Sequence, residues 1–109
     1  MEPLSITNPI TGQIIQIAMK DFPEDMKWSE AKKTCLDLGD GWRLPTKIEL
    51  NLMYEQLHKK GVGDFTDHWY WSSTEVSEYE AWGQFFRDGG TFECTKGHDS
   101  QYVRAVRSL

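Results

Sequence analysis

The chain has 109 residues, of which 39% are hydrophobic and 27% charged, enough for one globular core and too ordered a composition for a disordered segment. Its net charge is −5, its basic residues do not cluster, and no stretch approaches the roughly 20 apolar residues of a membrane helix, so nucleic acid, anionic membrane surfaces and a membrane span are poor readings. Five Trp, five Phe and four Tyr are a heavy aromatic load that supplies both core area and stacking surfaces.

Residues 1–12 read as a lead-in with a turn at "NPITG". It lacks the basic and apolar regions of a signal peptide. The chain is therefore cytoplasmic if complete, and surface-exposed or secreted if a leader or a longer chain is missing. "QIIQIAMK" follows as a strand, with Ile15, Ile17 and Met19 in alternation. Trp28, Ala31, Cys35 and Leu38 then fall on one face of a first helix that Gly39 and Gly41 stop.

"GWRLPTKIEL" starts a second helix. Thr46 and Glu49 form a capping box behind Pro45, and Leu50, Met53, Tyr54 and Leu57 make its apolar stripe. Ile48 and Leu52 lie nearly opposite that stripe, where a covering loop or another subunit would account for them. Gly61 and Gly63 end the helix. Within the same motif Trp42 and Leu44 plug the core, and Arg43 is expected to bond a carboxylate or backbone carbonyls, with Glu75 as the suggested partner.

"HWYWSST" enters a strand with Trp69 and Trp71 on one face and Tyr70 on the other. "AWGQFF", "RDGG" and "TFECTK" make a hairpin with two possible registers: a two-residue turn sets Phe85 opposite Phe92, and a three-residue loop sets Phe86 there. "YVRAVRSL" closes the chain as an alternating strand, with Tyr102, Arg104 and Val106 on one face and Val103, Ala105 and Arg107 on the other. The order of elements gives an α+β class, helices packed on an antiparallel sheet, in which the terminal strands can pair.

The chemistry-bearing residues are sparse. His58, His68 and His98, with the two cysteines, lack the tight spacing of a zinc site, and "GDFTDH" and "HDS" match no calcium loop. No metal or cofactor is expected. Cys35 lies on a core stripe, Cys94 alternates with Phe92, and no nucleophile elbow is present, so the chain does not read as an enzyme. Stacking of a ligand is the sharper idea, because Trp69, Tyr70, Trp71, Tyr79 and Trp82 crowd 14 residues.

Together, Trp28, Ala31, Cys35 and Leu38, then "GWRLPT", "YWSSTE", the Trp82 to Gly90 stretch and "VRAVR", resemble the Lcl C-terminal domain family, over about residues 26–107. These are bacterial domains with a C-type-lectin-like fold. The resemblance implies two helices packed on a twisted antiparallel sheet, with the termini close together. It implies structural roles for Trp28, Cys35, Trp42, Arg43, Leu44, Pro45, Thr46, Glu49, Trp71, Ser72, Ser73, Trp82, Phe86, Arg104 and Arg107. Trp82 and Phe86 would face the core in phase and leave Phe85 outward. The place where the family commonly has a second cysteine is Ala105 here, which favours two free thiols. "GWRLPT" also resembles a corner of formylglycine-generating enzymes, which are longer and rely on additional cysteines.

Members of the family often end surface proteins, are thought to bind host or glycan ligands, and in some cases form trimers. The Glu-Pro-Asn, Gln-Pro-Asp and Trp-Asn-Asp triplets of calcium-dependent lectins are absent. The resulting expectation is a non-enzymatic recognition domain for a glycan or protein ligand, with a surface built from loops 61–80 and 95–102. Asp64, Asp67, His68, Tyr79, Glu80, Phe85, His98 and Asp99 are the candidate contacts. The rival is a self-association module working through Ile48 and Leu52, which would make the protein a homo-oligomer.

Overall fold

The structure is a computed structural model that describes residues 4–109. Its elements run β1 (Leu4–Thr7), β2 (Ile14–Ile17), α1 (Trp28–Leu36), α2 (Lys47–Gln56), a 3-10 turn (His58–Lys60), β3 (Trp69–Glu75), β4 (Glu80–Phe85), β5 (Thr91–Thr95) and β6 (Val106–Ser108). The class is α+β, but the single expected sheet is two antiparallel three-stranded sheets, ordered β1-β2-β6 and β3-β4-β5.

The lead-in holds a strand. β1 pairs with β2 through a turn in which Asn8 Oδ1 accepts from the amides of Ile10 and Thr11. β6 pairs with the other edge of β2, so the first and last strands share one sheet. Ile15 and Ile17 are buried as expected, whereas Met19 lies beyond the strand and is exposed.

Two hydrophobic clusters occupy the two faces of the β3-β4-β5 sheet. α2 and the first sheet cover one face, where Ile6, Ile15, Ile17, Leu50, Met53, Leu57, Tyr70, Phe86 and Val106 meet. α1 and the C-terminal segment cover the other, where Trp28, Ala31, Cys35 and Leu44 pack on Trp71, Ala81, Cys94, Val103 and Ala105. Leu38, expected on the α1 stripe, is exposed because the helix ends at Leu36.

The capping box of α2 forms as read: Thr46 Oγ1 accepts from the Glu49 amide, and Glu49 Oε1 accepts from the Thr46 amide. The helix ends at Gln56, ahead of the glycines, and the 3-10 turn carries the chain to Gly61. Ile48 is 65% exposed, but Leu52 is half-buried against the α2-side core. His58 is not a solvated histidine. It packs on Phe86 with ring centroids 5.3 Å apart and bonds Asp67 at 2.8 Å.

Neither expected hairpin register occurs. Gly83 faces Phe92 and Gln84 faces Thr91, and residues 86–89 make a four-residue connection closed by the Phe85 amide donating to Gly90 O. The physical reason is Phe86, which turns out of the strand into the α2-side core. Trp82 is half-buried rather than in the core, on the opposite face from Ala81, with the Lys47 ammonium 3.6 Å from its ring centroid. Phe85 is half-buried and stacks on Trp69 at 5.1 Å, so it is not the solitary outward aromatic of the sequence reading.

Nor does "YVRAVRSL" alternate. Only Val106–Ser108 are strand, and Val103, Arg104, Ala105 and Val106 are all buried. This segment threads between the two sheets. Its carbonyls at Val103 and Ala105 accept from the amides of Phe22 and Ala18, and Gln101 exchanges two backbone bonds with Met26. Arg104 is buried among acceptors: Asp21 Oδ1 at 2.7 Å, Ala18 O at 3.0 Å and Asp64 O at 3.1 Å.

Candidate functional site

Alternation along three strands builds the site. Trp69, Trp71, Ala81, Gly83, Phe85, Phe92 and Cys94 share one face of the β3-β4-β5 sheet. α1 and Val103 cover the Trp71, Ala81 and Cys94 end of that face. At the other end the cover stops, and Phe85, Trp69 and Phe92 form an aromatic shelf. Trp69 stacks flat on Phe85 and meets Phe92 edge-on, with centroids 5.2 Å apart in the second pair. Phe92 is 54% exposed.

Beside the shelf run two adjoining depressions. One, of 380 Å³, is lined by Trp69, Phe92, Glu93, Cys94, Asp99, Ser100 and Gln101. The other, of 230 Å³, is lined by Asp25, His68, Trp69, Ser100, Gln101 and Tyr102. Trp69, Ser100 and Gln101 belong to both, so they form one groove. His68 stacks on Tyr102 at its far side. Asp99 Oδ2 accepts from the Thr95 amide, which holds the loop that carries it.

Gln101 sits at the base of the groove and is only 4% exposed. Its carboxamide lies against Gly83, where an added Cβ would fall 2.4 Å from Oε1 and 3.0 Å from the Cys94 sulfur. Gln101 Oε1 has no hydrogen-bond partner among the described residues. A buried acceptor left unpaired costs about 1–3 kcal/mol, and this one is sealed against Gly83 and presents no surface to the groove.

The sequence-derived candidates scatter. His68, Phe85 and Asp99 come together at this groove and shelf. Asp64 presents its carbonyl to Arg104, and Asp67 is engaged by His58. Tyr79 and Glu80 lie at the opposite end of β4, and His98 is exposed beside Asp99. Gln101, Phe92, Ser100 and Asp25 were not singled out as contacts. The available signal was Gly83, since a glycine inside a strand marks a close approach by another group.

A second depression, of 420 Å³, lies on the α2 side between Lys47, Ile48, Asn51, Leu52, Gly89 and Thr91. Gln84 lies beneath it and donates to Asn51 Oδ1 and Gly89 O, while its own Oε1 is without a partner among the described residues.

The remaining structural candidates hold the frame. Arg43 bonds both carboxylate oxygens of Glu49, at 2.6 and 2.8 Å, and not Glu75, whose carboxylate pairs with Lys96. Lys96 also caps the carbonyls of Ser77 and Glu78 and lies 4.3 Å from the Trp28 ring centroid. Ser72 donates to Trp82 O, the Ser73 amide to Pro45 O, and Arg107 to Gln16 Oε1 while lying over Trp42. Cys35 and Cys94 are free thiols. Burial pushes the Cys35 thiol up to about 12 and raises that of Cys94, which leaves both poor nucleophiles.

The family model of the Lcl C-terminal domain matches residues 11–107. The chain belongs to this family. The match starts well ahead of the motifs quoted above and takes in β2, both helices and the whole β3-β4-β5 sheet, with β1 lying ahead of it. The comparison with curated proteins returned no match. Among the described residues of this Lcl C-terminal domain no three His, Cys, Asp or Glu side chains are grouped to hold a metal ion, and no helix is long and apolar enough to cross a membrane.

Proposed function

We propose that this Lcl C-terminal domain is a non-enzymatic recognition module of C-type-lectin-like fold, which binds a glycan on the shelf of Phe85, Trp69 and Phe92. The observation that carries this reading is the aromatic shelf beside the groove, in which Phe92 is exposed and Trp69 and Phe85 are half-buried. An apolar sugar face stacks on aromatic rings, and its hydroxyls bond polar side chains such as Asp99 and Ser100 that line the groove. The buried, raised thiols argue against covalent catalysis through cysteine. Titrating a glycan panel against the protein and its Phe92→Ala variant tests the reading. A ligand whose affinity falls about tenfold or more in the variant is expected; a panel with no ligand, or one indifferent to Phe92, overturns it.

The second reading is self-association through the α2 depression. It is favoured by Ile48, a large apolar side chain on a helix face with nothing over it. Sedimentation of the wild type and Ile48→Glu separates the two: a concentration-dependent oligomer that the variant abolishes supports the second, and a strict monomer at high concentration removes it.

A further inference from the structure

We infer that the free edge of β5 docks a second copy of the chain, the two β5 strands pairing antiparallel across a two-fold axis at Phe92. The inference does not depend on what the shelf of Phe85, Trp69 and Phe92 binds.

The other strand edges are covered. The Gln56 carboxamide closes β1 at Thr7, bonding both its amide and its carbonyl. Arg43 exchanges two backbone bonds with Val106 of β6. Along β3 the amides of Trp71 and Ser73 donate to Tyr102 O and Pro45 O. On β5 the Phe85 amide donates to Gly90 O and the Lys96 amide to Tyr79 O, which fixes the phase of the β4-β5 ladder. Antiparallel strands exchange bonds at every second pair, so Phe92 and Cys94 bond inward to Gly83 and Ala81. The amides and carbonyls of Thr91, Glu93 and Thr95 therefore point away from the sheet. Thr95 is closed, because its amide donates to Asp99 Oδ2 and its carbonyl accepts from the His98 and Asp99 amides. The backbones of Thr91 and Glu93 have no outward partner among the described residues. Such an edge is a template for another strand.

These two residues are complementary to their own copies. In the central antiparallel register Thr91 meets the partner's Glu93, and Glu93 meets the partner's Thr91, so every free group on both edges is paired. A shift by two residues one way sets Glu93 against its own copy and Thr91 against the closed Thr95. A shift the other way sets Glu93 against Gly89, whose amide donates to Phe85 O and whose carbonyl accepts from Gln84 Nε2. The central register avoids both faults. It places Phe92 opposite the partner's Phe92 in a non-hydrogen-bonded pair, the kind that brings side chains closest. The exposed Phe92 ring gains an aromatic neighbour, Glu93 faces a Thr, and two three-stranded sheets join into one.

The test is sedimentation of the full chain at up to about 1 mM, where even a weak dimer is populated. A concentration-dependent dimer is expected. Glu93→Pro removes an outward donor from an edge strand, a place that tolerates proline, and should weaken the dimer about tenfold or more. Glu93→Thr keeps the amide and should leave the dimer intact. Cysteine trapping reads the register without relying on the proline variant to fold. Under mild oxidation Phe92→Cys should form an intersubunit disulfide, whereas Thr91→Cys and Glu93→Cys alone should not. A strict monomer at about 1 mM overturns the inference and leaves the edge to a strand of another protein. An oligomer abolished by Ile48→Glu but indifferent to Glu93→Pro overturns it in favour of the α2 depression. Equal trapping at all three positions overturns the register.

Discussion

Arg43 and Glu49 are joined by two parallel hydrogen bonds, and the same Glu49 carboxylate caps α2 through the Thr46 amide. The pair locks the "GWRLPT" corner to the helix that follows. Arg43 further donates to Ser108 Oγ, and its backbone exchanges two bonds with Val106, so the corner is also tied to the last strand. Glu49→Ala removes the cap, worth roughly 1 kcal/mol, and charge-assisted bonds worth roughly 1.5–3 kcal/mol. A loss of about 2–4 kcal/mol in chemical denaturation is expected; a loss below about 0.5 kcal/mol, typical of an inert surface site, would contradict it.

The same pair makes stability depend on pH. Burial works to raise the Glu49 carboxyl, but the Arg43 hydrogen bonds, the Thr46 amide and the Arg43 charge outweigh it and hold the group below the usual carboxylate range. A depressed folded value means that the stabilisation is complete above the unfolded value of about 4.3 and is lost as pH falls through the folded one. Glu49→Gln retains a capping side chain and carries no charge. Its stability is expected to lie below that of the wild type at neutral pH and to converge with it as the pH falls below about 4. Parallel pH profiles for the two proteins would contradict this.

Asp21 is the residue on which the buried polar network turns. It accepts from Arg104 Nε and from the Tyr70 hydroxyl, while Tyr70 in turn accepts from the Thr66 amide. The Arg104 side chain has no exposed surface and lies over the Phe65 ring. Removing Asp21 leaves a guanidinium buried with only carbonyl partners. Breaking one side of a buried pair costs about 3–5 kcal/mol, so Asp21→Ala is expected to be among the most damaging single changes in the chain. A thermal midpoint within about 2 °C of the wild type would refute the assignment.

How much of this was legible follows from how local each feature is. The α2 cap, its stripe and the turn at Asn8 rest on residues a few positions apart, and all three formed as read. The hairpin register did not, because Phe86 leaves the strand for a core assembled from β1, β2 and α2, and no residue within the hairpin encodes that. Residues 102–105 misled for a related reason. Their alternation suggested a two-faced strand, yet they run buried between two sheets and bond to the 18–26 segment, which has no periodicity of its own. Arg43 was read as seeking a carboxylate, and it found the one that the capping box already oriented. At the candidate site His68 and Asp99 were visible as loop residues and Phe85 as an outward aromatic of the hairpin, while Gln101 lay within the 95–102 loop but carried no local signal that set it apart as a groove residue.

Gly83 and Gly89 test the packing around the two depressions. A Cβ at Gly83 meets the Gln101 amide and Cys94, and one at Gly89 falls 2.6 Å from the Tyr54 ring at a backbone φ of 84°. Overpacking costs about 1–3 kcal/mol, and Gly89→Ala adds the strain of a left-handed residue. Both variants are expected to be destabilised, but only Gly83→Ala, which displaces Gln101, should also weaken a ligand of the groove. Loss of that ligand in Gly89→Ala alone would place the site on the wrong depression.

Cys35 supplies a signature in alkaline solution. Desolvation beneath α1 pushes its thiol up to about 12, so the folded protein keeps it neutral where the unfolded chain ionises it. The raised folded value means that the stabilisation is complete below the unfolded value of about 8.5 and is lost as pH rises toward the folded one. Cys35→Ala removes the titration while opening a small cavity, so it is expected to be less stable than the wild type near neutrality and to fall less steeply above pH of about 9. Alkylation supplies an independent readout. Two thiols should be counted in the denatured protein, and neither should react in the native one faster than the chain opens. Rapid native modification of Cys35 would mean that α1 does not shield it, and the alkaline argument would fail with it.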